Sequence, residues 1–429
     1  MIQETAATSE GGPTPPNPSA EVHLMNTYRR PPQVFVRGRG CYLYDSAGRR
    51  YLDFITGIGV NALGYAHPRL VRVMRREAAR AVHVSNLYHH PFQEPLATKL
   101  AAWSGLDRVF FTNSGSESIE GALKLARARA RKIAEGKFRI LALENSFHGR
   151  TFGALAVTAT PEYREPFAPL VPGVEFVRFD DVADLEAKFS EDVCAIIIEP
   201  IQGEGGIHPV SQPFWNRARE LATRHNALLI ADEIQSGLGR TGRAFAFERF
   251  TAKPDVVAVA KPLAGGLPLG AFLASEQAAS ALAPGMHGST FGGGPLACAT
   301  ALEFLSTIEQ ENLLENVRRR GEEIRRGLER LAGHAGYVRE VRGEGLMLAM
   351  ELEVEGAPYV DRARERGLLV NCTHKRVLRF LPPFILEDRQ VGEFLKKMKR
   401  VLAQKPKRGA ARQAAAGPAV LELGDARSK

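Results

Sequence analysis

The chain has 429 residues, of which 44% are hydrophobic and 24% are charged, and its formal net charge is +9. This length predicts two domains rather than one small core, and the composition is typical of a globular protein. No apolar run approaches the about 20 residues that a membrane helix needs. No basic stripe with interleaved aromatic residues is present, so the positive charge does not indicate a nucleic-acid surface. We therefore expect neither a membrane nor a nucleic-acid partner.

The two ends of the chain and its cysteines favour a cytoplasmic protein. Residues 1–20 are rich in Pro, Gly, Ser and Thr, and residues 404–429 are basic, so both are predicted to be disordered tails. The first tail has no basic segment followed by an apolar one, so no signal peptide is predicted. The cysteines form no CxxC pair and no cluster with histidine, which predicts reduced, buried thiols and no metal site. They are Cys41, Cys194, Cys298 and Cys372.

The pattern of apolar residues divides the rest of the chain into three parts. Residues 21–69 contain short predicted strands at 34–37, 41–44 and 51–54, and this segment is expected to join the small domain. In residues 70–295 helices and strands alternate, which predicts an α/β large domain: a mostly parallel seven-stranded sheet with helices on both faces. Its strands are predicted at 108–111, 138–143, 174–179, 195–199, 228–232, 256–260 and 271–274. Its longer helices are predicted at 70–82, 92–103, 117–134 and 212–225.

Residues 296–403 are predicted to form a smaller α+β domain. Helical periodicity appears at 296–309, 314–331, 359–365 and 387–402. Strands are predicted at 338–341, 345–353, 368–371 and 376–381.

The stretch LLIADEIQSGLGRTG, residues 228–242, contains the most informative acid. Its apolar start predicts a buried strand of a parallel sheet, and Asp232 then lies at the carboxyl end, where open α/β sheets bind ligands. A carboxylate there could keep a cofactor's ring nitrogen protonated, as a pyridinium electron sink requires, and Gln235 could donate to a phenolic oxygen on the same ring. The alternative is that Asp232 caps a turn or a helix.

Lys261 follows the apolar run 256–260. Desolvation at the end of a buried strand disfavours the ammonium form, and the resulting amine is nucleophilic, as Schiff-base chemistry needs. Lys261 could equally be a surface lysine with its stem along the protein.

Two loops that follow other predicted strands could bind an anion and a ring. In FTNSGSE the segment SGS begins a helix, whose free N–H groups suit a phosphate, although a serine there also suits an ordinary cap. In NSFHGRT, Phe147 could stack on a planar ring and Arg150 could bind a carboxylate. The alternative for this second motif is a plain surface loop.

Three more segments carry candidate groups. Glu204, in the glycine-flanked turn of EPIQGEGG, could pair with an arginine and move away when substrate arrives, or it could be a solvated acid. Arg379 lies within the strand of VLRFLPP, where a buried charge needs a partner or a function but an outward-facing one means little. Ser289 and Thr290, in MHGSTFGGG, could contact a phosphate or belong to a flexible loop.

Together these residues compose one site with a phosphate cup, a stacking aromatic ring, an acid, a nucleophilic lysine and two arginines. That set is what pyridoxal phosphate (PLP) chemistry on amino acids requires. In this order the residues resemble the class III aminotransferases of PLP fold type I, over about residues 25–402. The pattern Asp-Glu-Ile-Gln at 232–235, followed by Lys261 in AKPLAGGLPLGA, carries the resemblance. Within the family, MNTYRRPP, VSNLYHHP and NSFHGRT look most like the acetylornithine aminotransferases.

The resemblance implies a role for each candidate residue. Lys261 and Asp232 would be the catalytic pair, Lys261 as the internal-aldimine lysine and Asp232 as the partner of the pyridine nitrogen. The other implied cofactor contacts are Gly115 and Ser116 at the phosphate, Phe147 and Ile234 on the ring faces, Gln235 at the phenolic oxygen, and Thr290 at the phosphate from a partner subunit. The implied substrate contacts are Arg150, Ser289, Arg379 for the α-carboxylate of 2-oxoglutarate, and Glu204 as the gate of Arg379.

The implied protein is a homodimer with shared active sites. The implied reaction converts N2-acetyl-L-ornithine and 2-oxoglutarate into N-acetyl-L-glutamate 5-semialdehyde and L-glutamate, a ping-pong step of arginine biosynthesis. Related ω-aminotransferases remain alternatives, with ornithine, 4-aminobutyrate, succinyldiaminopimelate or a carrier-bound lysine precursor as donor. The departures from the family pattern at Ile119, Pro262 and Gly294 remove no reacting group.

Overall fold

The computed structural model describes residues 23–403, so the predicted tails at 1–20 and 404–429 lie outside the described residues. The described chain forms a small N-terminal sheet, a seven-stranded sheet and a four-stranded C-terminal sheet, together with a short two-stranded hairpin. No helix within residues 23–403 is long and apolar enough to cross a membrane.

The N-terminal sheet starts with an antiparallel meander, and an unusual turn follows it. This turn, α1 (Thr56–Gly59), is left-handed, and its residues all have positive φ, from 50° to 83°. Such angles strain the β-branched Thr56 and Ile58, so the surroundings must fix them. The Thr56 amide donates to Asp53 Oδ1 (3.0 Å), and its hydroxyl donates to the Leu381 carbonyl (2.7 Å). The strands of the meander are β1 (Phe35–Arg39), β2 (Tyr42–Asp45) and β3 (Arg50–Asp53).

The next part of the chain alternates between helices and strands, as its periodicity predicted. The strands are β4 (Arg108–Thr112), β5 (Arg139–Leu143), β6 (Val174–Val177), β7 (Val193–Ile198), β8 (Ile201–Gln202), β9 (His208–Pro209), β10 (Leu228–Asp232), β11 (Val256–Val259) and β12 (Gly270–Ala274). The helices are α2 (Pro68–Ala78), α3 (Gln93–Ser104), α4 (Gly115–Arg131), α5 (Phe152–Ala156), α6 (Pro161–Arg164), α7 (Val182–Lys188), α8 (Gln212–Arg224) and α9 (Glu276–Ala279). Two short 3-10 helices lie at Glu165–Phe167 and Ala246–Arg249.

Seven of these strands form one sheet in the order β4-β12-β11-β10-β7-β5-β6. Only β12 runs in the direction opposite to the other six strands, so the predicted mostly parallel seven-stranded sheet is confirmed. Side chains of a strand alternate between its two faces. In β10, Leu228 and Ile230 belong to the core that contains the buried face of α4, whereas Leu229 and Ala231 belong to the core that contains α8. Helices therefore cover both faces of the sheet.

The C-terminal part contains a second, antiparallel sheet with the order β13-β14-β17-β16. Its elements, with one strand of the N-terminal sheet among them, are α10 (Pro295–Gln310), α11 (Leu313–Ala335), β13 (Val338–Glu344), β14 (Met347–Leu352), α12 (Ala357–Glu365), β15 (Leu368–Leu369), β16 (Asn371–Thr373), β17 (Val377–Phe380) and α13 (Asp388–Leu402).

The single strand predicted at 368–371 is wrong, because the chain changes sheets within it. β15 pairs in parallel with β3, and β16 pairs antiparallel with β17. The apolar pattern indicates which side chains are buried, but not which neighbour accepts the backbone hydrogen bonds.

Residues of the N-terminal segment contact the C-terminal part of the chain in two places. The β3–β15 pairing is one such contact. Phe54 is another, since its ring stacks on Phe394 of α13 with centroids 4.0 Å apart and an interplanar angle of 7°. The predicted boundaries at 69/70, 295/296 and 403/404 stay predictions.

Replacing Phe54 with alanine tests whether the N-terminal segment is an integral part of the fold. Phe54 is fully buried, so Phe54→Ala should reduce the free energy of unfolding by about 3–5 kcal/mol. Phe167 is 53% exposed, so Phe167→Ala should change it by no more than about 0.5 kcal/mol. Thermal unfolding of the two variants gives the comparison. Equal Tm values would contradict the packing role of Phe54.

Candidate active site

A cavity of about 360 Å³ lies at the carboxyl edge of the seven-stranded sheet. Loops that follow β4, β5, β7, β10 and β11 all contribute to its wall, since parallel strands end at the same edge. The lining residues are Val60, 113–116, 147–149, Glu199, Glu204, Asp232, Ile234, Gln235, Ala260, Lys261 and 266–269. The predicted cofactor contacts on four separate loops therefore meet in one place, whereas the one on a fifth loop, Thr290, does not.

Asp232 ends β10 and is held from two sides. Its Oδ1 accepts a hydrogen bond from the Ile234 amide (3.0 Å), and its Oδ2 lies 2.7 Å from His148 Nδ1. Both side chains are buried. Among the residues that the structure describes, His148 Nε2 has no hydrogen-bond partner. With the proton on Nδ1, His148 donates to the carboxylate and orients it in the cavity wall.

Glu199 holds the loops that follow β5 and β7. Its two carboxyl oxygens accept hydrogen bonds from the backbone amides of Phe147 (2.9 Å) and Gly203 (2.8 Å). Burial raises the pKa of Glu199, while nearby His148 lowers it. Glu199 thus fixes the start of the loop that carries Phe147 and His148.

Lys261 follows β11 and extends into the cavity, where its side chain is half-buried. Burial lowers the pKa of Lys261 from the ordinary value of 10.5, and the negative charge of Asp232 acts in the opposite direction. A lower pKa gives a larger fraction of free, nucleophilic amine at neutral pH. Gly59 of the left-handed turn is adjacent, since a Cβ built on it would lie 3.9 Å from Lys261 Cδ.

The N-terminus of α4 faces the same cavity. Ser114 caps the helix by accepting from the Glu117 amide (3.3 Å), so the cap alternative is correct for this serine. Gly115 and Ser116 are the first helical residues, whose amide groups lack partners within the helix. A Cβ at Gly115 would lie 2.9 Å from Ile234, so a larger residue would push against the cavity wall. These amides and the positive end of the helix suit a phosphate.

Arg379, in the middle of β17, is fully buried. Its Nη1 donates to Glu204 Oε1 (2.6 Å) and to Gln235 Oε1 (3.2 Å), and its Nε donates to Asn371 Oδ1 (3.3 Å). Arg379 Nη2 has no partner among the described residues. A buried guanidinium with one unused nitrogen can accept a further anionic ligand. The alternative that Arg379 faces outward is therefore wrong.

Arg240 joins three segments that surround the cavity. Its side chain is fully buried and donates to the carbonyls of Leu346 (3.3 Å), Pro382 and Gly59 (3.5 Å). The guanidinium also lies 4.6 Å from the centre of the Phe384 ring. Burial lowers the pKa of Arg240 to about 9. The sequence around Arg240 predicts no role for it, and its three carbonyl partners indicate a structural one.

Four predicted contacts are not part of the cavity lining: Arg379, described above, and the following three. Arg150 is exposed, with its guanidinium 3.5 Å from the centre of the Tyr163 ring. Ser289 Oγ accepts from Asn113 Nδ2 (3.1 Å) and from the Gly292 amide (3.0 Å). Thr290 is exposed. Their roles stay predictions.

The sequence patterns predicted no specific role for His148, Glu199 or Val60. A signal existed for the first two, because both follow buried strands of the parallel sheet. His148 lies within NSFHGRT, and Glu199 ends the apolar run AIII. Val60 carries no such signal, since its place depends on the left-handed turn that precedes it.

The chain belongs to the class-III aminotransferases, since the family model described as aminotransferase class-III matches residues 24–402. It is 45% identical to the acetylornithine aminotransferase of Aquifex aeolicus (strain VF5), over 89% of this chain and 100% of that one. It is 44% identical to the acetylornithine aminotransferase of Methanocaldococcus jannaschii, over 89% and 96%.

Solved structures agree with the family assignment and with fold type I. The ornithine aminotransferase from Toxoplasma gondii ME49 has a TM-score of 0.86 and 34% identity, covering 89% of this chain and 92% of that chain. A second structure of the ornithine aminotransferase from Toxoplasma gondii has PLP at partial occupancy in its active site.

The environment of Lys261 predicts its reactivity. In cofactor-free protein, modification of Lys261 by an amine-selective reagent should have its midpoint below pH 10.5, because burial lowers the pKa. Asp232→Asn removes the charge that raises this pKa, so the midpoint should fall further. Mass spectrometry of the Lys261 peptide across pH measures both, with the unfolded chain as control. A midpoint at or above that of the unfolded chain would rule out the desolvated amine.

Proposed function

We propose that this class-III aminotransferase is a PLP-dependent enzyme that transfers the δ-amino group of N2-acetyl-L-ornithine to 2-oxoglutarate. The products are N-acetyl-L-glutamate 5-semialdehyde and L-glutamate, in a step of arginine biosynthesis. The observation that carries the proposal is the ion pair between buried Arg379 and half-buried Glu204, which lines the same cavity as Lys261. Such a pair suits a site that must accept two different substrates in turn. The two acetylornithine aminotransferases described above support the choice of donor.

The residues present fit PLP. When bound, PLP supplies a pyridine ring that acts as an electron sink. Lys261 would hold its aldehyde carbon covalently, and Asp232, oriented by His148, would keep a proton on the ring nitrogen. The remaining contacts would be Phe147 and Ile234 on the ring faces, Gln235 at the phenolic oxygen, and Gly115 and Ser116 at the phosphate.

Lys261 also suits the proton transfer at the centre of the reaction. With PLP bound, the amine of Lys261 would be the base that takes a proton from the amine-bearing carbon of the substrate, and its protonated form would be the acid that returns the proton. The half-buried position and the lowered pKa favour the neutral amine that this role requires.

In this proposal the Arg379–Glu204 ion pair is a gate with a paired and an open arrangement, and each arrangement suits one of the two substrates. N2-acetylornithine carries its reacting amine far from its carboxylate, so we propose that Arg150 binds that carboxylate, with Ser289 nearby, while Glu204 neutralises Arg379. When 2-oxoglutarate enters, Glu204 moves aside and Arg379 binds the α-carboxylate through a bidentate contact. Donor and acceptor thereby use one site in alternation, as ping-pong exchange demands.

We also propose a homodimer that shares its active sites. Thr290 adjoins Phe291, which is 68% exposed, and the loop at 85–90 beside it carries Leu87 (85% exposed) and Tyr88 (70% exposed). Exposed apolar side chains that cluster in this way indicate an interaction surface. A second copy packed there would bring Thr290 to the phosphate of the neighbouring site.

The proposed compartment is the cytoplasm. Cys41, Cys194 and Cys298 are buried and free, and burial raises the pKa of Cys194 to about 11. Such thiols are unreactive, as expected of a protein that stays in a reducing environment.

Ornithine is the second candidate donor. The favouring observation is the TM-score of 0.86 to an ornithine aminotransferase. The identity of 34% to that structure is lower than the 45% to an acetylornithine aminotransferase, which places N2-acetylornithine first.

Removal of the proposed nucleophile tests the mechanism. Lys261→Ala should reduce kcat with N2-acetylornithine and 2-oxoglutarate by at least about 10³-fold, because both the covalent attachment and the proton transfer are lost. Lys124→Ala, which alters an exposed lysine on α4, is the control and should retain full activity. Comparable turnover of the two variants would refute the role of Lys261.

A comparison of donors tests the substrate. N2-acetylornithine should give a higher kcat/KM than ornithine or 4-aminobutyrate, each assayed with 2-oxoglutarate. If ornithine gave the highest value, the second candidate would replace the first, and the aminotransferase class would be unaffected.

A further inference from the structure

The strand β16 places two polar side chains beside the gate. It runs antiparallel to β17, with Asn371 opposite Arg379 and Thr373 opposite Val377. Asn371 and Thr373 are two residues apart in a strand and therefore share a face. The intervening Cys372 points elsewhere, since its sulfur lies 2.5 Å from where a Cβ on Gly356 would be.

Each of these side chains holds one member of the gate ion pair. Asn371 Oδ1 accepts a hydrogen bond from Arg379 Nε (3.3 Å). The Thr373 hydroxyl donates to the backbone carbonyl of Glu204 and also lies 3.4 Å from Glu204 Oε2. Thr373 is 7% exposed, so little water competes for these bonds. One hydroxyl thus contacts both the backbone and the carboxylate of Glu204.

The backbone around Glu204 depends on such external contacts. Glycine occupies both flanking positions, Gly203 and Gly205, and glycine restricts the chain least. On one side, the Glu199 carboxylate accepts a hydrogen bond from the Gly203 amide (2.8 Å). At Glu204 itself, the contacts from outside the hairpin come from Thr373 and Arg379. Loss of the Thr373 contact would leave the Arg379–Glu204 ion pair (2.6 Å) to hold the carboxylate.

We propose that Thr373 is a positioning residue that biases Glu204 toward Arg379 and so sets the balance between the two substrates. This inference rests on the proposed function, in which the ω-amino donor needs the paired gate and the dicarboxylate needs the open gate. A ligand that binds one state has an apparent affinity proportional to the population of that state. Weakening the paired state must therefore shift the two substrates in opposite directions.

Thr373→Val removes the hydroxyl with little change in volume and tests the proposal. Loss of one neutral hydrogen bond should lower the ratio of paired to open gate by about 3–10-fold. The ratio of KM for the donor to KM for 2-oxoglutarate should rise by the same factor, whatever the starting population. Thr373→Ser keeps the hydroxyl and should restore the wild-type ratio.

Two further measurements separate a gate effect from a general loss of structure. Glu204→Ala removes the gated carboxylate, so adding Thr373→Val to it should leave the KM ratio of the single variant unchanged. Glutarate is a dicarboxylate that cannot react, and calorimetry with the holoenzyme should show about 3–10-fold tighter binding to Thr373→Val than to wild type.

The outcomes distinguish this proposal from the proposed function. Equal changes in both KM values, unchanged glutarate affinity, or a Thr373→Val effect that persists without Glu204 would each overturn the positioning role. A wild-type protein without transaminase activity would instead overturn the proposed function, and the glutarate measurement would still decide the role of Thr373.

Discussion

The active-site cavity depends on one constraint: ionisable groups at the carboxyl edge of the sheet have lost most of their water. Asp232, Glu199 and Arg379 are all buried. Removing a charged group from water costs several kcal/mol unless partners replace the solvent. Each group finds at least one partner on a segment that follows a different strand, so the site exists only when the strands are in their native order. The native strand order is therefore required for the site as well as for the fold.

The partners of Asp232, Lys261 and Arg379 do not fully neutralise or satisfy these groups. Asp232 is paired with a histidine and a backbone amide. Lys261 is left in a desolvated position that lowers its pKa. Arg379 has a carboxylate on Nη1 and an unused Nη2. Such incomplete pairing is unfavourable in a purely structural site, and it is typical of a site that completes its contacts with ligands.

Much of this arrangement could be predicted from the sequence, for an identifiable physical reason. A buried strand in a parallel sheet is a short apolar run, and the polar residue that ends it must lie at the ligand-binding edge. That rule found Asp232 and Lys261, and it predicted all seven strands of the sheet. It could not find the pair formed by His148 and Asp232, because this contact needs the spatial order of β5 and β10. Strand order is a long-range property that local periodicity does not contain.

The same limit explains the errors in the C-terminal part. Residues 368–371 have the pattern of one strand, yet they are divided between two sheets. That division brings Asn371 and Thr373 next to Arg379 and Glu204, at the contact between the C-terminal sheet and the hairpin that follows β7. Arg379 lies on β17, Glu204 between β8 and β9, and Gln235 after β10. Because the Arg379–Glu204 pair is assembled from both parts of the molecule, a change in their packing would change the proposed gate, and substrate choice would then depend on that packing rather than on any single loop.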